Sequence, residues 1–96
     1  MAYGIIHRFA GATKAQYEAS LAAVHPGEGL PAGQIFHAGG PSEDGTWTIV
    51  AIHESKESWE RFRDDILMPK LSAGVPGGFE VPPDEYTFEV ANQQTG

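Results

Sequence analysis

The chain reads as an α+β domain whose elements run strand, helix, strand, strand, helix, strand. Three observations predict this class. Short runs of β-branched and aromatic residues occur at four places, two segments carry apolar residues at helical spacing behind a capping residue, and loops rich in glycine and proline separate them.

Residues 3–10 form the first apolar run and stop at Gly11. Thr13 then offers an N-cap, Gln16 completes a capping box, and Tyr17, Leu21 and Val24 recur on one face, so a helix is expected to about His25, where Pro26 and Gly27 stop it. Residues 26–33 are a loop. Residues 34–38 and 46–53 read as strands of a hairpin joined by the turn-rich residues 39–45. Ser55 caps a second helix with Trp59, Phe62, Ile66 and Leu67 on its dry face and Glu57, Glu60, Arg61 and Asp64 on its wet one; Pro69 is expected to limit its length. After a loop at 74–83, Tyr86, Phe88 and Val90 alternate with Glu85, Thr87 and Glu89 in a last strand, and residues 92–96 form a flexible polar tail. With 96 residues and no repeat or linker, residues 1–96 are expected to form one domain.

This order is the split βαβ arrangement of ferredoxin-like domains: a four-stranded antiparallel sheet, its first and third strands central, with two helices on one face. The other face would be bare, yet the central strands do not alternate apolar with polar. Tyr3, Ile5 and Phe9 lie opposite Ile6 in the first, and Trp47, Ile49 and Ala51 lie opposite Val50 and Ile52 in the third. A sheet apolar on both faces needs a second cover, so the chain is expected to dimerise with itself through the sheet.

Composition narrows the function classes. The chain has no cysteine, which removes disulfides, thiolate nucleophiles and thiolate metal sites. Six Lys and Arg against 13 Asp and Glu give a net charge of -7, which repels a phosphate backbone, so no nucleic acid partner is expected. No apolar run approaches the roughly 18 residues of a membrane span, and residues 1–4 lack the features of a signal peptide, so no membrane partner and a cytoplasmic location are expected.

The passage from Trp47 through Val50, Ile52, His53, Glu54, Ser55 and Trp59 to Phe62 resembles the strand, Glu-Ser cap and aromatic helix of the antibiotic-biosynthesis monooxygenase-like branch of the dimeric α+β barrel superfamily. The superfamily includes small monooxygenases, heme-degrading monooxygenases, polyketide cyclases and muconolactone isomerases. Such a resemblance implies a cavity between sheet and helices rather than one reaction. At the positions where the heme-degrading branch carries Asn, Trp and an iron-ligating His, this chain has His7, Phe62 and Ser72, which argues against heme degradation by that constellation; no cofactor is expected.

Histidines are the first acid–base candidates. His25, at a helix end, reads as solvated. His37 and His53 fall 13 to 20 Å apart if the hairpin closes between Ala38 and Trp47, roughly four to six residues at ~3.4 Å each, too far to share a metal ion, so no metal site is expected. His7 and His53 form the better catalytic pair, on the expectation that both lie towards the C-terminal ends of adjacent parallel strands. In the resembling family the His7 position points into the cavity. Arg8 alternates to the other face. Trp59, Phe62 and Tyr17 are the expected substrate-binding aromatics, and Gly39 and Gly40 do not form a phosphate loop. Three functions remain open. One is a cofactor-independent monooxygenase or isomerase on a small aromatic or polyketide-like molecule, with His7 as base, needing a cavity of roughly 300 Å³ or more. The others are a non-catalytic ligand-binding or assembly module, which a packed interior would favour, and a heme or metal binder.

Overall fold

The computed structural model describes residues 1–25 and 29–94. The elements follow the expected order: β1 (Tyr3–Phe9), α1 (Lys14–Val24), β2 (Gln34–Pro41), β3 (Trp47–His53), α2 (Lys56–Phe62), a π-helical turn (Arg63–Leu67), α3 (Met68–Ala73) and β4 (Asp84–Glu89). The sheet order is β2-β3-β1-β4, and every neighbouring pair is antiparallel.

Both helix starts obey their local chemistry. Thr13 Oγ1 accepts from Gln16 N–H at 3.2 Å while Gln16 Oε1 accepts from Thr13 N–H at 3.0 Å, closing the capping box. Ser55 Oγ accepts from Ser58 N–H at 3.0 Å. At the far end of α1, His25 N–H donates to Leu21 C=O at 2.8 Å; Pro26 and Gly27, expected to stop this helix, lie outside the described residues, as do residues 95 and 96 of the polar tail.

Three expectations are corrected. Pro69 does not end the second helix: Met68 N–H reaches back five residues to Arg63 C=O, and this wider turn absorbs the proline ring and its missing donor, so the helix continues to Ala73. The hairpin closes at Pro41 and Trp47 rather than at Ala38, so Gly39 and Gly40 are strand residues and the loop shrinks to 42–46. Finally, β1 and β3 are antiparallel, with Tyr3 opposite His53 and His7 opposite Ile49. His7 and His53 therefore lie towards opposite ends of the sheet, four positions apart along the strands.

One face of the sheet carries Tyr3, Ile5, His7 and Phe9 of β1 with Ile49, Ala51 and His53 of β3, and the helices pack there around a cluster of Ile5, Val24, Trp59 and Phe62. The opposite face carries Ile6, Val50, Ile52, Ala38, Phe36, Tyr86 and Phe88, and none of the described elements is laid over it. There Phe36 is 43%, Tyr86 56% and Phe88 43% exposed. The Phe88 ring does fill the space above Gly4, leaving no room there for a Cβ.

Candidate functional site

A cavity of about 80 Å³ lies between the helix-covered face and the helices. Its floor comes from β1, β2 and β3 and its walls from α1, α2 and the helical segment after them, and Phe79 and Pro83 reach it from the 74–83 loop. Of the expected site residues, His7, Tyr17, Trp59 and Phe62 line it; His53 does not.

His7 stands at one end. Because β1 and β4 pair with His7 opposite Glu85, the two side chains share a face, and His7 Nε2–H donates to the Glu85 carboxylate at 2.8 Å. In the neutral ring that bond places the hydrogen on Nε2 and the lone pair on Nδ1, and the ring packs edge-on against Trp59, centroids 5.8 Å apart. Glu85 went unnoticed in the sequence because its neighbours Tyr86 and Phe88 look like the inward residues of β4. The register to β1 places them on the uncovered face instead. A pairing of the last strand with the first would have revealed it.

Tyr17 and His37 occupy the other end. The Tyr17 hydroxyl and His37 Nε2 are 2.7 Å apart, and the Tyr17 ring lies over Gly39, where a Cβ would come within 2.8 Å of it. Glycine at 39 thus makes room for the tyrosine. His25 does not extend into solvent as expected: it is half-buried, lines the cavity and meets the His37 ring edge-on at 4.8 Å. Burial pushes the His25 imidazole down. The same desolvation, with a smaller contribution from His25, brings His37 to about 4, so both rings are neutral at pH 7. Burial raises the Tyr17 phenol, which keeps its proton.

His53 is fully buried, and both its nitrogens are engaged: Gln34 Nε2–H donates to its Nε2 at 3.2 Å, and its Nδ1–H donates to Ser58 Oγ at 3.1 Å. Desolvation lowers its pKa most, Glu54 opposes this and His25 adds to it. The ring also packs against Trp59 and Phe62. His37 sits opposite Ala51 on the same face as His53, one inward position away, so the separation expected from the sequence is also corrected; the hairpin register is three residues longer than its glycines implied. Among the described residues no group of three or more His, Asp or Glu converges tightly enough to hold a metal ion.

Two further features escaped sequence reading. Phe79 stacks on Phe9 at 3.7 Å and 9°, and its N–H donates to the buried Ser20 Oγ at 3.0 Å, so a loop residue closes one side of the cavity. A second cavity, about 240 Å³, lies on the other side of α2 against Gly33, Glu54, Ser58, Arg61 and Asp65. Arg8 lies on the uncovered face, where it donates to Asp44 at 2.9 Å and to Thr48 at 3.4 Å. No helix among the described residues is long and apolar enough to cross a membrane.

No family model and no curated protein sequence matches the chain. Solved structures do. The protein Rv0793 of Mycobacterium tuberculosis superposes with a TM-score of 0.73 at 16% identity, covering 99% of this chain and 100% of that one. A protein described as a candidate antibiotic biosynthesis monooxygenase from Bordetella bronchiseptica gives 0.67 at 19% identity over 95% of this chain and 98% of its own. Another so described, from Chloroflexus aurantiacus, gives 0.64 at 13% identity over the whole of both. At these identities the likeness is one of fold: the chain has the ferredoxin-like α+β architecture of the antibiotic-biosynthesis monooxygenase type.

Proposed function

Taking that shared fold as premise, we propose that the chain is a cofactor-independent monooxygenase or isomerase that acts on a small aromatic or polyketide-like molecule in the sheet–helix cavity, with His7 as the base. The observation that carries this reading is the His7–Glu85 bond: a cavity-lining imidazole whose Nε2–H is held by a carboxylate has its other nitrogen free to take a proton. Trp59 and Phe62 supply the apolar wall, and Tyr17 the opposite end. His53 acts in this proposal through Trp59 and Phe62, which it supports from below, rather than on the substrate.

Removal of a proton from an activated CH2 leaves an electron-rich carbanion. Dioxygen would oxidise it, one oxygen atom becoming a carbonyl and the other leaving as water with the two hydrogens. Return of the proton elsewhere on the molecule would be isomerisation. Dissolved-oxygen consumption with a panel of anthrones and naphthols tests the first, and solvent deuterium incorporation under argon tests the second. His7→Ala is expected to lower turnover by about 10²- to 10⁴-fold with the oligomeric state unchanged; an unaltered rate removes His7 from the mechanism.

A non-catalytic binding module is the second reading, favoured by the cavity volume. About 80 Å³ falls well below the roughly 300 Å³ at which ligand pockets begin, so the Phe79 loop must move before a ring system fits. Phe79→Ala should speed ligand binding in either case, and binding without oxygen consumption or deuterium exchange would select the module. We also propose that a second copy of the chain covers the open sheet face, whose apolar residues are continuous across all four strands.

A further inference from the structure

The end of the cavity remote from His7 holds two buried polar atoms with no partner among the described residues: Gln34 Oε1 and His37 Nδ1. Buried polar atoms are nearly always paired, so two on one wall of one cavity call for an explanation. Gln34 is only 7% exposed, and its amide nitrogen is committed to His53. Both residues line the cavity. They stand on successive inward positions of β2 although three apart in sequence, because a bulge at Ile35 inserts one residue between them.

We assign the polarity of the Tyr17–His37 pair from the partners open to the phenol hydrogen. Its one partner among the described residues is His37 Nε2, so the phenol donates and His37 carries its own hydrogen on Nδ1. The wall therefore presents a donor, His37 Nδ1–H, beside an acceptor, Gln34 Oε1. A carbonyl could satisfy only the first and an ammonium only the second; a hydroxyl satisfies both. Among the described residues no Lys, Arg, Asp or Glu lines the cavity, so none of them pairs there with a charged group.

We infer that this end of the cavity is a subsite for the hydroxyl of a neutral phenol or enol, which accepts from His37 Nδ1–H and donates to Gln34 Oε1. Tyr17 is a positioning residue that holds the His37 tautomer. The inference rests on the cavity admitting a ligand, as proposed above, but not on turnover.

The test is an NMR titration at pH 7 with 1-naphthol and with 1-methylnaphthalene, which has a methyl group in place of the hydroxyl. The ratio of their affinities is compared between the wild type and His37→Leu. A drop of about tenfold in the preference for naphthol, with methylnaphthalene binding retained, is the expected result. An unchanged ratio overturns the subsite while leaving the cavity reading intact. If neither compound binds the wild type, both readings are overturned. Should His37→Leu not fold, Tyr17→Phe, which keeps the ring, is expected to reduce the same ratio several-fold. Nitrogen-15 spectra of wild-type His37 must in addition show the Nδ1–H form; the other tautomer overturns the assignment.

Discussion

The two faces of the sheet are built on opposite rules. The helix-covered face buries polar chemistry, His7, Gln34, His37 and His53, among its apolar residues, and each of those residues has at least one specific partner. The uncovered face has almost no polar groups in its middle and leaves two phenylalanines and a tyrosine in contact with water. For a domain standing alone the arrangement is inverted, because hydration should favour the polar set outside. The contrast is intelligible if the first face is a site and the second an interface.

That contrast can be attacked from both sides. Trp59 is 3% exposed and packs against His7, His53 and Phe62, so Trp59→Ala should destabilise the fold by about 3–5 kcal/mol in urea denaturation. A loss below about 1 kcal/mol would mean that the helix-covered face is not a packed core. On the uncovered face Val50 lies between Ala38 and Ile6 at the centre. Val50→Lys should weaken self-association more than about 100-fold, of the order of 3 kcal/mol, in sedimentation equilibrium. A wild type that sediments as a monomer would end the interface reading.

Gly39→Ala sharpens the comparison, since Gly39 faces the site and Gly40, its neighbour, has open space around it. The added methyl at 39 must push the Tyr17 ring, at a cost of about 1–2 kcal/mol, whereas Gly40→Ala should be close to neutral. Equal effects would show that Tyr17 is not seated as described. Smallest is the effect of pH. The folded imidazoles of His25, His37 and His53 are held below the ordinary histidine value of 6.5, so the unfolded chain binds more protons between 6.5 and about 4. Their contribution is complete above pH 6.5 and is lost as the pH falls towards 4. After discounting for solvent around the partly exposed His37 ring, its loss should be of the order of 1 kcal/mol, and His37→Gln should flatten that part of the urea-midpoint profile.

What could be read from the sequence was local. Thr13 with Gln16, and Ser55 ahead of Trp59, announce helix starts because a capping side chain and its target lie within three residues. The element order and the apolar character of both sheet faces came from similar short-range patterns. What could not be read was set by pairing across the chain. The hairpin register depends on where Pro41 meets Trp47, the inward turn of Glu85 on a strand partner 78 residues away, and the capping of the cavity by Phe79 on a hydrogen bond to Ser20. His53 shows the limit most clearly: its residue type pointed to catalysis, while its two buried hydrogen bonds depend on Gln34 and Ser58, which no pattern around it marks.

The extra residue at Ile35 acts as a half-period phase shift in the β2 repeat. The strand on the amino-terminal side of it is turned over relative to residues 36–41, which is how Gln34 comes to share a wall with His37. Removing the extra residue would set Gln34 beside Phe36 and keep it opposite His53, whereas straightening the bulge with residue 35 retained would carry the Gln34 amide through the sheet to the apolar face, depriving His53 of its partner and the cavity of its acceptor in one step. The site thus depends on the two-against-one pairing around residue 35 more than on the side chain that stands there.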